Sequence, residues 1–264
     1  PECVCLGRDE IDLQNSKSLK ATLSKLRPTA IINAAAYTAV DKAEQEQQAA
    51  QLLNADAVAN LAAYCKDTKC QLIHISTDYV FAGDKGSPYL PTDPINPIGI
   101  YGKTKAMGEQ HVLALKEQGC IIRTSWVYSK HGNNFVKSML NLMSTRDKLG
   151  IVSDQIGAPT WAKTLAKACL EAAHNQYAGI YHWTDLGVAS WYDFALATYE
   201  IATELGMLQS NIDICPIRTE DYPTPAVRPK YSVLEKHDTQ AQFKQTKMHP
   251  WRIQLKQMLT ELKE

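Results

Sequence analysis

Gln71-Leu72-Ile73-His74-Ile75, continued by Ser76-Thr77-Asp78-Tyr79-Val80-Phe81, is the stretch on which the fold turns. A near-continuous apolar run that breaks abruptly into hydroxyls and a carboxylate has the pattern of a strand covered on both faces, with its polar end at the carboxyl edge of a sheet. Open parallel sheets place their ligands at that edge. Working outward, Ala30-Ile31-Ile32-Asn33-Ala34 and Ile121-Ile122-Arg123-Thr124-Ser125 read as strands of the same kind. Between the first two, residues 42–66 are rich in Ala, Gln, Leu and Glu and free of Gly and Pro, which predicts one long helix. Between the next two, the spacing predicts a helix over about 104–117, ending at Gly119. Alternating strands and helices imply an α/β fold with a doubly wound parallel sheet.

Beyond Tyr128 the rhythm loosens. Residues 133–147 read as a helix, Gly157-Ala158-Pro159-Thr160 as a turn before another helix to about Ala173, and Ile180-Tyr181-His182-Trp183 as a short strand. Ser190 is placed to cap a helix running to about Leu205, and 251–262 reads as a final amphipathic helix. Tyr222-Pro223-Thr224-Pro225-Ala226-Val227-Arg228-Pro229 cannot be helical and is expected to lie as an ordered loop. The division expected is a dinucleotide-binding domain over 1–128, joined by the helix near 160–174, and a smaller substrate-binding lobe from 129–158 and 185–264.

The 28 basic and 28 acidic residues cancel, so no net charge favours nucleic acid or an anionic membrane. No apolar stretch approaches the roughly 20 residues that cross a bilayer. Seven cysteines without a paired-ligand pattern suggest small buried side chains in a reducing cytoplasm. The scattered histidines show no metal-binding arrangement, and no metal is expected.

Tyr101 and Lys105, in Tyr101-Gly102-Lys103-Thr104-Lys105, stand one helical turn apart and can form a proton-donating couple. A cation beside the phenol is expected to draw its pKa down from about 10. The spacing is common by chance in a chain with 12 tyrosines, and an exposed lysine beside a partly buried tyrosine is the plain alternative. Thr77, at the strand end, could hydrogen-bond a carbonyl under reduction, or merely cap the strand. The alanines of Asn33-Ala34-Ala35-Ala36-Tyr37-Thr38 would let a planar cofactor approach the backbone, or would serve ordinary packing. A nucleotide-binding sheet normally opens with a strand and a glycine-rich turn, and no such turn is present. Cys3-Val4-Cys5-Leu6 looks strand-like, so the chain is expected to lack its first strand, turn and helix.

Taken together, these runs closely resemble the extended short-chain dehydrogenase/reductases and, within them, the dTDP-4-dehydrorhamnose reductases. The resemblance is carried by Asn33 to Glu44, Ser76 to Phe81, Tyr101 to Lys105, and Arg123-Thr124-Ser125-Trp126-Val127-Tyr128. It extends to Gly132-Asn133-Asn134-Phe135, Asp154 to Thr160 and Pro223 to Pro229. It implies a Rossmann-like domain and reduction, by NADPH or NADH, of the C4 keto group of a dTDP-sugar in L-rhamnose and cell-surface polysaccharide synthesis. Tyr101 would be the proton donor, Thr77 would orient the carbonyl, and Lys105 would lower the phenol pKa and hold the nicotinamide ribose. By the same pattern Asp12 and Leu13 would flank the adenine, Ala36, Tyr37 and Thr38 would line the cofactor, and Thr77, Asp78 and Trp126 would contact the sugar. Magnesium-bridged dimers occur among such reductases, so a homodimer stays open, with no metal assigned to this chain. Two rivals share the fold: a non-catalytic subunit like the beta subunit of methionine adenosyltransferase, and a sugar-nucleotide dehydratase or epimerase. The intact Thr77, Tyr101 and Lys105 argue for an enzyme. A dehydratase pairs Asp with Glu where this chain has Asp78-Tyr79, which argues for simple reduction.

Overall fold

In the computed structural model, which describes residues 3–209 and 211–264, four parallel strands lie in the order Ala30–Asn33, Gln71–Thr77, Gly119–Thr124 and Gly179–His182. Their register sets Ile31 beside Leu72, Ile73 beside Cys120 and Ile122 beside Tyr181. Alternate side chains feed two cores, as the two-residue period of a strand requires. Leu72 and Ile121 join Leu61, Cys65 and Val112 on one face. Ile73, Cys120 and Ile122 join Leu165, Ala168, Cys169 and Trp183 on the other. Leu72, Ile73, Ile121 and Ile122 are fully buried, each stabilising the sheet by roughly 1.5–3 kcal/mol. Helices Ala57–Thr68 and Ile100–Leu113 contribute to the first face and Ala162–His174 covers the second, which makes the sheet doubly wound.

The long helix expected over 42–66 is broken. Val40–Ala43 and Gln47–Gln51 are separate short helices, and Leu52–Asp56 is a π-helical turn before Ala57–Thr68. The cause lies in a neighbour: Gly108 packs so closely that a Cβ there would fall 2.2 Å from the Asn54 carbonyl oxygen. The next helix begins earlier than its composition suggests, at Ile100, because the Glu44 carboxylate accepts the Ile100 N–H at 2.8 Å and satisfies the helix start. Cys3–Leu6 forms no strand, and Cys3, Val4 and Cys5 are exposed. With no neighbouring strand hydrogen-bonded to it, local β-propensity does not suffice.

Further along, the helix expected over 133–147 is shorter, Phe135–Met143, and Ser190 caps Trp191–Glu204 through a reciprocal box with Asp193. Strands Lys148–Val152 and Asp213–Ile217, paired in parallel, carry no clear sequence signal because Gly150 and Pro216 interrupt them. Around these elements lie two more cores, one joining Phe194, Ile201, Trp251, Leu255 and Met258, the other Met139, Met143, Leu149 and Leu208. The proline-rich segment is non-helical, as its sequence demands. Among the described residues, no helix is long and apolar enough to cross a membrane. Cys65, Cys70, Cys120 and Cys169 are buried free thiols, whereas Cys3 and Cys5 are exposed.

Candidate active site

Thr77 ends its strand and starts the 3-10 turn Asp78–Val80, accepting the Tyr79 N–H at 3.2 Å and donating to the Asp78 carboxylate at 3.0 Å. The helix carrying Tyr101 rests directly on this turn. A Cβ on Gly102 would fall 2.1 Å from the Tyr79 carbonyl oxygen, so only glycine lets the helix come that close. Tyr101 is thereby delivered to the strand end, where its phenol lies near the Thr77 hydroxyl and its ring meets the Tyr79 ring edge-on, centroids 5.5 Å apart. Thr77, Asp78 and Tyr101 thus form one cluster. Position 79, where a dehydratase has its second carboxylate, is filled by an aromatic ring packed against Tyr101.

Burial pushes the Tyr101 phenol up to about 12; the nearby Thr77 hydroxyl pulls it down, and the Asp78 charge adds to the rise. This corrects the expectation that Lys105 lowers it. Lys105 is almost fully buried and directs its amine elsewhere, to the Ile75 carbonyl at 2.7 Å and His74 Nε2 at 3.2 Å. Burial lowers the Lys105 pKa to about 8 against the opposing pull of Glu109. Glu109, a turn further on, is gripped by Arg123 Nε at 2.9 Å and Nη2 at 2.7 Å, and accepts the Ser76 hydroxyl at 2.6 Å. This buried ion pair is compensated at both ends, as its burial requires.

Asp78 is buried, and its Oδ2 has no hydrogen-bond partner. Burial raises its carboxyl to about 6, with the nearby Ser232 hydroxyl and the Thr77 hydrogen bond working the other way. An acceptor so placed beside Thr77 suits an incoming hydroxyl. Trp126 follows the adjacent strand, whose Thr124 is in register with Thr77. Its backbone is left-handed, at φ 48°, and its indole stacks on Trp191 with centroids 3.6 Å apart. Gly157 approaches so closely that a Cβ there would sit 2.7 Å from the ring. The expected open indole face for a sugar is therefore largely taken up by protein, and what Trp126 presents is the rim of a half-buried ring.

The cofactor-side residues divide. Ala34, Ala35 and Thr38 are exposed, with Ala36 and Tyr37 half-buried, past the carboxyl end of Ala30–Asn33. Asn54 fastens this turn: its Oδ1 accepts the Tyr37 N–H at 2.8 Å, and its Nδ2 donates to the Tyr37 carbonyl and to the Thr104 hydroxyl, both at 3.1 Å. The alanine turn is thus tied to the Tyr101 helix. The Tyr37 hydroxyl donates to Glu46 at 2.6 Å. Asp12 is exposed and accepts the Gln14 N–H, while Leu13 packs on the first core with its carbonyl held by Asn60. Neither Asp12 nor Leu13 shares a hydrogen bond with the Thr77–Tyr101 cluster. Small exposed alanines, an anchored backbone turn and a lysine on the adjoining helix fit the nicotinamide half of a dinucleotide. Among the described residues no group of three or more His, Cys, Asp and Glu gathers to hold a metal.

Sequence reasoning overlooked Asn54, His74, Glu109, Ser232 and the Asp41–Arg228 pair. Only the last had a signal, since both residues fall in runs that carry the family resemblance. Arg228 Nη2 meets Asp41 Oδ2 at 2.7 Å and its Nη1 meets Oδ1 at 3.1 Å, so the proline-rich loop is clasped to the start of Val40–Ala43.

The RmlD substrate binding domain family model matches residues 1–264. The dTDP-4-dehydrorhamnose reductase of Salmonella typhimurium is 41% identical over 256 residues, covering 95% of this chain and 85% of its own length. Among solved structures, a dTDP-4-dehydrorhamnose reductase from Clostridium acetobutylicum superposes with a TM-score of 0.91 at 37% identity, covering 97% of this chain and 89% of that one. Another from Bacillus anthracis, in complex with NADP, gives 0.90 at 35% identity with the same coverage. On the strength of a match that runs along the whole sequence and of relatives alike over most of both chains, this chain belongs to the RmlD substrate binding domain family.

Proposed function

We propose that this chain is an NAD(P)-dependent oxidoreductase that reduces the C4 keto group of dTDP-4-dehydro-L-rhamnose to give dTDP-L-rhamnose. The observation that carries the reading is the Thr77 and Tyr101 pair brought together at the carboxyl edge of the sheet, one turn from a buried lysine. A reduced nicotinamide, NADPH or NADH, supplies the hydride when bound. Tyr101, with a phenol held near 12, keeps its proton until an alkoxide, a far stronger base, forms within reach, and then gives it up. Thr77 directs the carbonyl toward the phenol, so that positioning and proton delivery come from one strand end. The free Asp78 Oδ2 accepts a sugar hydroxyl, and the Trp126 rim walls the sugar on the neighbouring strand end. Lys105 holds the nicotinamide ribose, Ala36, Tyr37 and Thr38 line the cofactor, and Asp12 with Leu13 flanks the adenine. The core that joins Phe194 and Trp251 supports the substrate-binding lobe.

The test is spectroscopic. Purified full-length protein mixed with dTDP-4-dehydro-L-rhamnose should oxidise NADPH or NADH, read as loss of absorbance at the reduced-nicotinamide band. Folded protein that shows no oxidation above background with either cofactor would end the proposal.

A further inference from the structure

The mechanism above leaves His74 unused, although it is fully buried and touches Lys105. Three hydrogen bonds in series determine where its protons lie. Asn33 Oδ1 accepts the Ala35 N–H at 3.1 Å, which fixes the amide so that Nδ2, a donor only, faces His74 Nδ1 at 3.1 Å. Nδ1 must therefore carry the lone pair, and a neutral ring then carries its proton on Nε2. That proton points at Lys105 Nζ, 3.2 Å away. An ammonium there would set donor against donor, whereas a neutral amine accepts from Nε2 and still donates to the Ile75 carbonyl at 2.7 Å.

We propose that His74 is a positioning residue for Lys105: oriented by Asn33, its imidazole presents an Nε2–H that favours the neutral amine of the lysine. The inference rests on the reductase reading for its link to catalysis, not for its geometry. Charging Lys105 then requires one proton to be gained and the chain of bonds to reverse. Nδ1 becomes the protonated nitrogen, Nε2 accepts from the ammonium, and the Asn33 amide turns over, releasing the Ala35 N–H. The charge of Lys105 is thereby linked to the backbone of the alanine turn. Of the helices on His74's side of the sheet, Ile100–Leu113 contributes Lys105 and Glu109, with Arg123 paired to the latter, and Ala57–Thr68 contributes Tyr64 and Cys65. On the opposite side Ile73 and Ile75 face Leu165, Ala168 and Cys169. Burial lowers the His74 pKa, in keeping with a neutral ring.

The experiment needs no turnover, so it can fail independently of the reductase assay. Long-range proton–nitrogen NMR of the labelled full-length protein at about pH 9.5, above the Lys105 midpoint of about 8, with His74→Gln to assign the signals, should show His74 protonated at Nε2 and bare at Nδ1. A ring protonated at Nδ1, or at both nitrogens, overturns the proposal. Asn33→Asp keeps an acceptor for Ala35 but puts a second acceptor against Nδ1. The tautomer should then invert, and the Lys105 midpoint, followed at its Nζ, should rise by at least one pH unit. An inverted tautomer with an unmoved Lys105 midpoint would equally overturn the claim that His74 sets the charge of the lysine.

Discussion

Tyr101 and Lys105 show how far one residue pair can be read from sequence. Helical periodicity alone puts positions i and i+4 on one face, so their proximity was legible. Their electrostatics were not, because the partners that decide them arrive from elsewhere: His74 lies 31 positions before Lys105, and Thr77 sits on a strand end. A phenol near 12 and an amine near 8 are the result of burial, which no local spacing encodes. Tyr101→Phe should lower kcat by roughly 10²–10⁴-fold while leaving the cofactor dissociation constant nearly unchanged, because only the proton is removed. Stopped-flow turnover together with fluorescence titration of the cofactor would check both parts. Unchanged turnover would remove Tyr101 from the proton-donor role. Trp126 was equally hidden: nothing in its neighbours announces a left-handed backbone or an indole packed between Trp191 and Gly157.

At the scale of elements, the parallel strands and most helices were legible because apolar runs and capping residues act locally. Ser190 with Asp193 is a cap that sequence alone can nominate. The π-helical turn at Leu52–Asp56 was invisible, since the composition of residues 42–66 favours a single α-helix and the interruption is fixed by the approach of Gly108. That turn places Asn54, which bridges the alanine turn to Thr104 on the Tyr101 helix. Gly108→Ala forces a methyl group into the Asn54 carbonyl and should cost about 1–3 kcal/mol of stability, the usual penalty of overpacking. Urea unfolding would measure it. A midpoint equal to that of the unchanged protein would show that the two helices are free to separate.

Across the whole molecule, contacts between remote segments decide what the sequence leaves open. The prolines of 222–229 exclude a helix, yet nothing local says that Arg228 reaches Asp41, 187 positions away. A double-mutant cycle with Asp41→Asn and Arg228→Lys should return a coupling of about 1 kcal/mol, typical of a bidentate pair that is only partly buried. Additive effects would mean that the clasp contributes nothing as a pair. Asp185 supplies a pH dependence. It accepts from the Trp161 N–H at 3.0 Å, Thr164 Oγ1 at 3.3 Å and the Tyr128 hydroxyl at 3.4 Å. Burial nonetheless raises its carboxyl to about 7. The folded chain therefore binds more protons than the unfolded one between about pH 4 and 7, so the stabilisation is complete below that window and lost as pH rises through 7. Asp185→Asn should accordingly gain in Tm over the unchanged protein by more at pH 8 than at pH 5, and a gap independent of pH would disprove the assignment. The stacked pair of Trp126 and Trp191 has a different use. Two indoles 3.6 Å apart do not absorb independently; they share their excitation and act as one chiral chromophore. The exciton band of that dimer in circular dichroism is an optical gauge built into the chain, able to register a sugar arriving at the Trp126 rim without any label.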